Sequence, residues 1–139
     1  DKEFYCYKFR SMKVNAEADT LQATKDDPRK TRWGNIMRKT NIDELPQFIN
    51  VFKGEMSIVG PCPHMLAHTE IYARLIDKYM VRHFVKPGIT GWWAATDRND
   101  STWASGQRQA RELFYVRHQS VGLDARVFVK TFKAMRKGK

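Results

Sequence analysis

Proline and glycine divide this chain more firmly than any other feature of it. Gly60-Pro61-Cys62-Pro63 and Lys86-Pro87-Gly88-Ile89-Thr90-Gly91 are rigid turns, because each proline fixes its own φ and removes a backbone donor. Pro28 disfavours helix at Asp27, and Pro46 places a helix start close by. Only short elements fit between these points. No stretch approaches the roughly 20 uninterrupted apolar residues of a membrane-spanning helix. Enough apolar material remains for a core: of 139 residues, 42% are hydrophobic and 12% aromatic, which argues against a disordered polycation and against a disulfide-stapled miniprotein. Residues 1–139 read as one domain. The chain opens at Asp1 without an initiator Met or the apolar run of a signal peptide, so it reads as a piece of something longer. Cys6 and Cys62 lack a C-x-x-C spacing and are expected to be unpaired.

The charge balance is 25 Lys plus Arg against 15 Asp plus Glu, a formal +10. Such an excess implies an anionic partner: nucleic acid, a phosphate-bearing small molecule, or an anionic membrane surface. Charge alone does not choose among them.

Residues 4–12 place Tyr5, Tyr7 and Phe9 on one face and Cys6, Lys8 and Arg10 on the other, a strand pattern with a basic face. Residues 13–25 read as a loop closed by Asp26-Asp27-Pro28, and residues 29–40 as a cationic amphipathic helix around Trp33, Ile36 and Met37. In the next helix Leu45, Phe48, Ile49 and Phe52 fall at i, i+3, i+4 and i+7, an apolar stripe that Gly54 ends. A short buried strand over 56–59 follows, and then a long helix over 66–84. Residues 96–101 read as polar loop. A helix over 102–118 carries Trp103, Ala110, Leu113 and Phe114, and a last helix starts at Asp124 with Val127, Phe128, Phe132 and Met135 inward. The fold class is α+β: mainly amphipathic helices with a small sheet or hairpin built from residues 4–12 and 56–59.

Asp43-Glu44 is the sharpest chemical feature. Pro46 forces both acids into or just before the first helical turn, where the helix dipole favours an ionised carboxylate, with cationic residues 29–39 upstream. Such a carboxylate can attack phosphorus and form an acyl phosphate while its neighbour binds a divalent metal bridging phosphate oxygens. The plainer alternative is that the pair only caps the helix. Other features say less. The loop at 86–91 lacks the spacing of a Walker loop or dinucleotide fingerprint, so an NTPase reading fails. His64 and His68 have metal-ligand spacing, but no third ligand is evident. The basic face of the last helix, Arg126, Lys130, Lys133, Arg136 and Lys137, suits solvent, lipid headgroups or nucleic-acid phosphates, although no nucleic-acid motif is present.

Taken in order, Tyr7-Lys8-Phe9-Arg10-Ser11-Met12, Asp27-Pro28-Arg29-x-Thr31, Arg38-Lys39-Thr40, Asp43-Glu44-Leu45-Pro46-Gln47, Gly54-Glu55-Met56-Ser57-x-Val59-Gly60-Pro61 and Arg82-His83-x-x-Lys86-Pro87-Gly88-Ile89-Thr90-Gly91-Trp92 resemble the bacterial sugar transferase family, the monotopic phosphoglycosyl transferases. The resemblance is close over residues 4–92 and looser through Tyr115, Ser120 and Asp124. It implies transfer of a hexose 1-phosphate from a UDP-sugar to a polyprenol phosphate, with release of UMP, as the priming step of surface polysaccharide synthesis. It further implies Asp43 as nucleophile, Glu44 as its partner, and both as ligands of Mg²⁺. Lys8, Arg10, Arg29 and Arg38, with Ser57 and Lys86, fall to the substrate phosphates. The expected location is the cytoplasmic face of the bacterial inner membrane, with the family's membrane segment lying before residue 4.

The chain departs from the family pattern where Cys62 stands for an Arg between two prolines, where Trp93-Ala94-Ala95-Thr96-Asp97 replaces Ala-Gln-Val-Asn-Gly, and at Glu112, where Asp is usual. One rival reading is therefore a catalytically impaired member acting as a membrane-surface binding module. The other is a basic nucleic-acid-binding protein, supported only by charge and tryptophans.

Overall fold

The computed structural model describes residues 2–16, 24, 27–75, 78–96 and 106–136. Helix α1 (Arg32–Thr40) is followed by a 3-10 turn (Ile42–Glu44), α2 (Gln47–Phe52), β1 (Ser57–Val59), α3 (Leu66–Leu75), a 3-10 stretch (Tyr79–Phe84), β2 (Gly88–Thr90), α4 (Trp92–Thr96), α5 (Gly106–His118) and α6 (Val121–Arg136). The α+β expectation holds, with helices predominating. The loop expected over 13–25 falls largely outside the described residues, as do most of the polar loop at 96–101, Trp103, Lys137 and the side chain of His68.

The sheet differs from the expected one. β1 pairs with β2 in parallel, Ser57 opposite Gly88 and Val59 opposite Thr90, so the Pro-Gly segment read as a turn supplies the second strand. Parallel strands need a long crossover, and residues 60–87 provide it. Gly60 and Gly88 make the close crossing possible, since a Cβ on Gly88 would lie 2.0 Å from the Gly60 nitrogen. Residues 4–12 stay outside this sheet; their single ladder contact among the described residues is an antiparallel bridge from Met12 to Lys30. An alternating pattern predicts extended backbone, and it leaves the pairing partner open.

Three helix expectations also change. In place of one helix over 66–84, the described residues form an α-helix over Leu66–Leu75 and a 3-10 stretch over Tyr79–Phe84, capped by Lys78 at φ 57. α6 starts at Val121, not Asp124: the Ser120 hydroxyl accepts from the Leu123 amide at 3.2 Å, while Asp124 accepts from the Tyr115 hydroxyl at 2.7 Å. The inward side of α6 differs from the expected one, and α5 buries a polar side. Val127 is fully buried, but Phe128, Phe132, Met135 and Phe114 are exposed, and α5 turns Arg108, Glu112 and Tyr115 inward. These three stand at i, i+4 and i+7, so α5 has a helical stripe, mostly polar, that an apolar search passes over.

The core is small. Val59, Tyr115 and Val127 form its centre, and Val85, Trp92, Ala95 and Leu123 pack against it. The Tyr115 hydroxyl, whose one proton goes to Asp124, also lies 3.3 Å from the Val59 carbonyl oxygen, which sets α5 against β1. Cys6 and Cys62 are free, as expected.

Candidate active site

α1 sets one wall of the site. Thr31 caps it by accepting from the Gly34 amide at 2.8 Å, and the left-handed Asn41 at φ 56 ends it. Gly34 lies so close to the extended segment that a Cβ there would fall 1.8 Å from the Ser11 carbonyl oxygen. This close approach lets Arg38, one turn further along α1, donate from Nε to Ser11 Oγ at 2.8 Å. Directly after Asn41 the chain makes the 3-10 turn that carries Asp43 and Glu44. α2 then begins at Gln47 behind Pro46, so the proline stands where its missing N–H costs nothing.

Asp43 is 8% exposed. Its carboxyl is pushed above the ordinary range, first by burial and next by the adjacent Glu44, against the pull of Lys8 and Arg38. The sequence expectation of a carboxylate favoured by a helix dipole is corrected here, because the acid sits in a three-residue turn and desolvation outweighs the neighbouring cations. Glu44 is engaged by Lys8, with Nζ 3.1 Å from Oε1. For Lys8, burial acts to lower the amine, and the Glu44 carboxylate overcomes it, so the net direction is upward. The Phe9 amide donates to the Asp43 carbonyl at 2.9 Å and holds the extended segment against the turn.

Of the other predicted site residues, Arg38 shares this locus with Lys8, Asp43 and Glu44. Arg29 is tied to Asp27 through Nε at 2.9 Å and Nη2 at 2.7 Å, which holds the Asp27 carboxyl well below the usual range. Arg10 is exposed. Ser57 opens β1, its amide on the Pro87 carbonyl at 2.8 Å, and the ammonium of the exposed Lys86 lies beside Gly54.

Two neighbouring carboxylates suit Mg²⁺, which is characteristically held by one or two carboxylates and completed by substrate phosphates rather than enclosed by protein ligands. Among the described residues no group of three or more His, Cys, Asp or Glu is placed to hold a metal.

Sequence reasoning missed a second polar cluster behind the Pro61-Cys62-Pro63 turn. Arg82 Nη1 lies 3.0 Å from Glu112 Oε2, and Arg108 Nε lies 3.4 Å from Glu112 Oε1, all three side chains being buried. Arg82 also donates to the Cys62 carbonyl and contacts His64, and Arg108 stacks over Trp93 with its guanidinium carbon 4.0 Å from the ring centroid. Glu112 and Cys62 line a crevice with Gly60, Gly91, Trp93 and Tyr115. Burial pushes the Cys62 thiol up, and the charges of Arg108, Glu112, Arg82 and Glu44 all act on it, so crevice and dyad are electrostatic neighbours. The Arg108–Glu112 spacing of four is readable on a helix, but the pairing of Glu112 with Arg82, 30 residues away, is not a sequence signal.

The arrangement places two acids on a tight turn with Lys8 and Arg38 beside them, and comparison with known proteins shows the family of the chain as a whole. The bacterial sugar transferase profile matches residues 1–138. The chain is 49% identical over 139 residues to the UDP-glucose:undecaprenyl-phosphate glucose-1-phosphate transferase of Escherichia coli (strain K12), covering 95% of this chain and 30% of that protein. It is 39% identical over 144 residues to the UDP-N-acetylgalactosamine-undecaprenyl-phosphate N-acetylgalactosaminephosphotransferase of Aeromonas hydrophila, covering 99% and 33%. It is also 39% identical over 138 residues to the exopolysaccharide production protein PSS of Rhizobium leguminosarum bv. phaseoli, covering 94% and 69%. With a profile match along nearly its whole length and a relative covered over two thirds of its own, the chain belongs to the bacterial sugar transferase family.

Proposed function

We propose that this chain is the catalytic region of a sugar-1-phosphate transferase that moves a hexose 1-phosphate from a UDP-sugar to a polyprenol phosphate, priming exopolysaccharide, capsule or O-antigen synthesis. The observation that carries this reading is the buried Asp43 beside a Lys8-paired Glu44, inside a chain that matches the family along its length.

In the first step a carboxylate oxygen of Asp43 attacks the sugar-bearing phosphorus. The bond from that phosphorus to the bridging oxygen breaks, and UMP leaves with the electron pair. An acyl phosphate to the hexose remains. In the second step a phosphate oxygen of the polyprenol phosphate attacks the same phosphorus and frees the Asp43 carboxylate, so the enzyme is unchanged. Burial of Asp43 leaves its carboxylate poorly solvated and readier to attack. Lys8 and Arg38 face the negative charge that gathers on the leaving phosphate. Asp43 and Glu44 would hold Mg²⁺, which when bound supplies charge to neutralise the diphosphate.

The location follows from the lipid acceptor. No helix among the described residues is long and apolar enough to cross a membrane, but Leu45, Phe48, Ile49 and Phe52 are 40–91% exposed directly beyond the dyad. On α6, Phe128, Val129 and Phe132 are exposed together with Arg126, Lys133 and Arg136, and Lys130 is half-buried. Apolar stripes beside basic side chains suit an anionic bilayer surface, here the cytoplasmic face of the bacterial inner membrane.

The test is the half-reaction. Protein and Asp43→Asn are incubated with Mg²⁺ and a panel of UDP-sugars, and intact mass is read for a hexose-phosphate adduct together with stoichiometric UMP. An adduct that needs Asp43 establishes the nucleophile and names the sugar. No adduct and no UMP from the full-length protein sinks the reading.

Cys62 favours a second reading, the impaired member that binds at the membrane surface. Cys62→Arg would raise transfer about tenfold or more if the missing guanidinium is what limits it. A protein inactive with either residue, yet still bound to vesicles of anionic phospholipid, is the binding module.

A further inference from the structure

Asn50 lies with Gln47 on the inner face of α2, opposite the apolar stripe, is completely buried, and uses its side-chain amide on another part of the chain. Its Oδ1 accepts from the Tyr7 amide at 3.0 Å, and its Nδ2 donates to the Tyr5 carbonyl at 2.7 Å and to Glu55 Oε2 at 2.7 Å. The partners fix the orientation of the amide, because an N–H must face Oδ1 and two acceptors must face Nδ2. Its backbone carbonyl meanwhile accepts from the amides of Glu55 and Met56 at 2.9 and 3.3 Å. One residue thus joins the extended segment to the chain entering β1.

The contact has the form of a rung of a β-ladder. The Tyr5 carbonyl and the Tyr7 amide lie along the same edge of an extended backbone, and the Asn50 amide stands in for the peptide group of a neighbouring strand. Further along, the segment is held by the Lys13 amide on the Arg29 carbonyl at 2.8 Å and the Thr31 amide on the Ser11 carbonyl at 3.1 Å. Lys8 lies between these attachments, opposite Glu44. Side chains of an extended segment alternate, so a slip of one residue would present Tyr7 or Phe9 to Glu44 in place of an ammonium.

We infer that Asn50 is the positioning residue of the dyad's cationic side: it sets the register of residues 5–9 so that Lys8 meets Glu44 where the phosphates of a nucleoside diphosphate approach. The inference rests on the phosphosugar-transfer reading for its substrate, and on geometry alone for the clasp.

The experiment uses the full-length protein in membranes and compares Asn50→Ala and Asn50→Asp with Lys8→Ala and with the double variant Asn50→Ala/Lys8→Ala. Asn50→Asp keeps the shape and the acceptor for Tyr7, loses both donors, and sets a second carboxylate against Glu55. UMP release from a UDP-sugar gives kcat and KM, and hydrogen exchange by mass spectrometry follows the peptide over residues 4–12. Each Asn50 variant is expected to lower kcat/KM roughly 10- to 100-fold, as loss of a hydrogen-bonded charge does. The double variant is expected to lie within about twofold of Lys8→Ala, because the two residues act as one unit. Exchange should rise at residues 4–10 and stay unchanged in α5 and α6. Equal losses from Asn50→Ala with and without Lys8, or faster exchange spread through α5 and α6, would make Asn50 a general fold residue and overturn the inference. If wild type releases no UMP, the transfer reading has failed, and unchanged exchange at 4–10 in both Asn50 variants would separately dismiss the clasp.

Discussion

Before Met56 every buried residue that the structure describes is polar or glycine: Ser11, Asp27, Gly34, Asp43, Gln47 and Asn50. From Met56 onward the buried set contains Met56, Val59, Tyr79, Tyr115 and Val127. The two halves are held together by different physics. The second half packs an apolar centre between a parallel strand pair and α6, with a buried ionic cluster at its side. The first half is a hydrogen-bonded assembly in which the Asn50 amide and the Arg38 guanidinium each bind a neighbouring segment, and the Asp27–Arg29 pair fixes the turn before α1. α2 shows the contrast in one helix, with Gln47 and Asn50 at 1% and 0% exposure and Phe52 at 91%. A helix that turns its amides inward and its aromatics outward is stabilised by what its amides hold, and its outer face is left for a partner. The difference teaches that the half carrying the acid pair takes its shape from directional polar contacts, and the other half supplies the apolar packing.

The sharpest way to break this comparison is Asp43→Asn. UMP release should fall by about 10⁴-fold or more, as for loss of a nucleophile. The same variant should melt higher than wild type at pH 7. Burial raises the Asp43 carboxyl in the fold, so its contribution is most favourable below the ordinary pKa of about 3.9 and is lost as pH rises through the folded value. The gain should therefore vanish in acid, and melting curves at pH 7 and pH 3 check it. A variant that melts lower at pH 7 would show that the first half is not strained by its buried acid.

Glu112→Ala probes the other half. Removing this carboxylate leaves the Arg82 and Arg108 guanidinium groups in a buried site without it, and about 3 to 5 kcal/mol should be lost in urea unfolding. Glu112→Gln should recover little, because it restores shape without charge.

The third prediction sets one apolar residue from each half against the other. Val127→Ala should cost about 2 kcal/mol, since Val127 is fully buried. Phe52→Ser should change stability by no more than about 0.5 kcal/mol, yet should weaken binding to vesicles of anionic phospholipid measured by co-sedimentation. If Phe52→Ser unfolds the protein, α2 is covered by the protein's own chain and the contrast fails.

The smallest effect concerns Asp27. Arg29 holds its carboxyl low in the fold, so this pair stabilises above the unfolded pKa of about 3.9 and its contribution is lost as pH falls through the folded value. In Arg29→Ala the urea midpoint should decline less steeply on acidification than in wild type.

The acid pair and the turns were more legible than the packing. Asp43-Glu44 stood out because Pro46 restricts where a helix can start, and the proline-rich turns stood out because proline acts through its own ring. The apolar stripe of α2 was also readable, but periodicity finds a face and is silent on whether protein or some other partner covers it. Asn50 was invisible for a related reason: nothing in its neighbours announces that its amide will replace a strand. The same holds for Gln47, for Glu112 between Arg82 and Arg108, and for residues 4–12, whose alternation suited a strand that found no sheet.

By itself the sequence determined the breaks at Pro46, Pro61, Pro63 and Pro87, the acid pair and its basic surroundings, and the family, because these depend on covalent geometry and on residues close together in the chain. Only the tertiary structure decided that Gly88–Thr90 pairs with Ser57–Val59, that Asn50 seats residues 5–7, that Lys8 meets Glu44 across 36 positions, and which helix faces are inside. Those outcomes depend on burying the whole chain at once, and burial, more than local preference, sets which contacts distant segments make and how high the carboxyl of Asp43 is held.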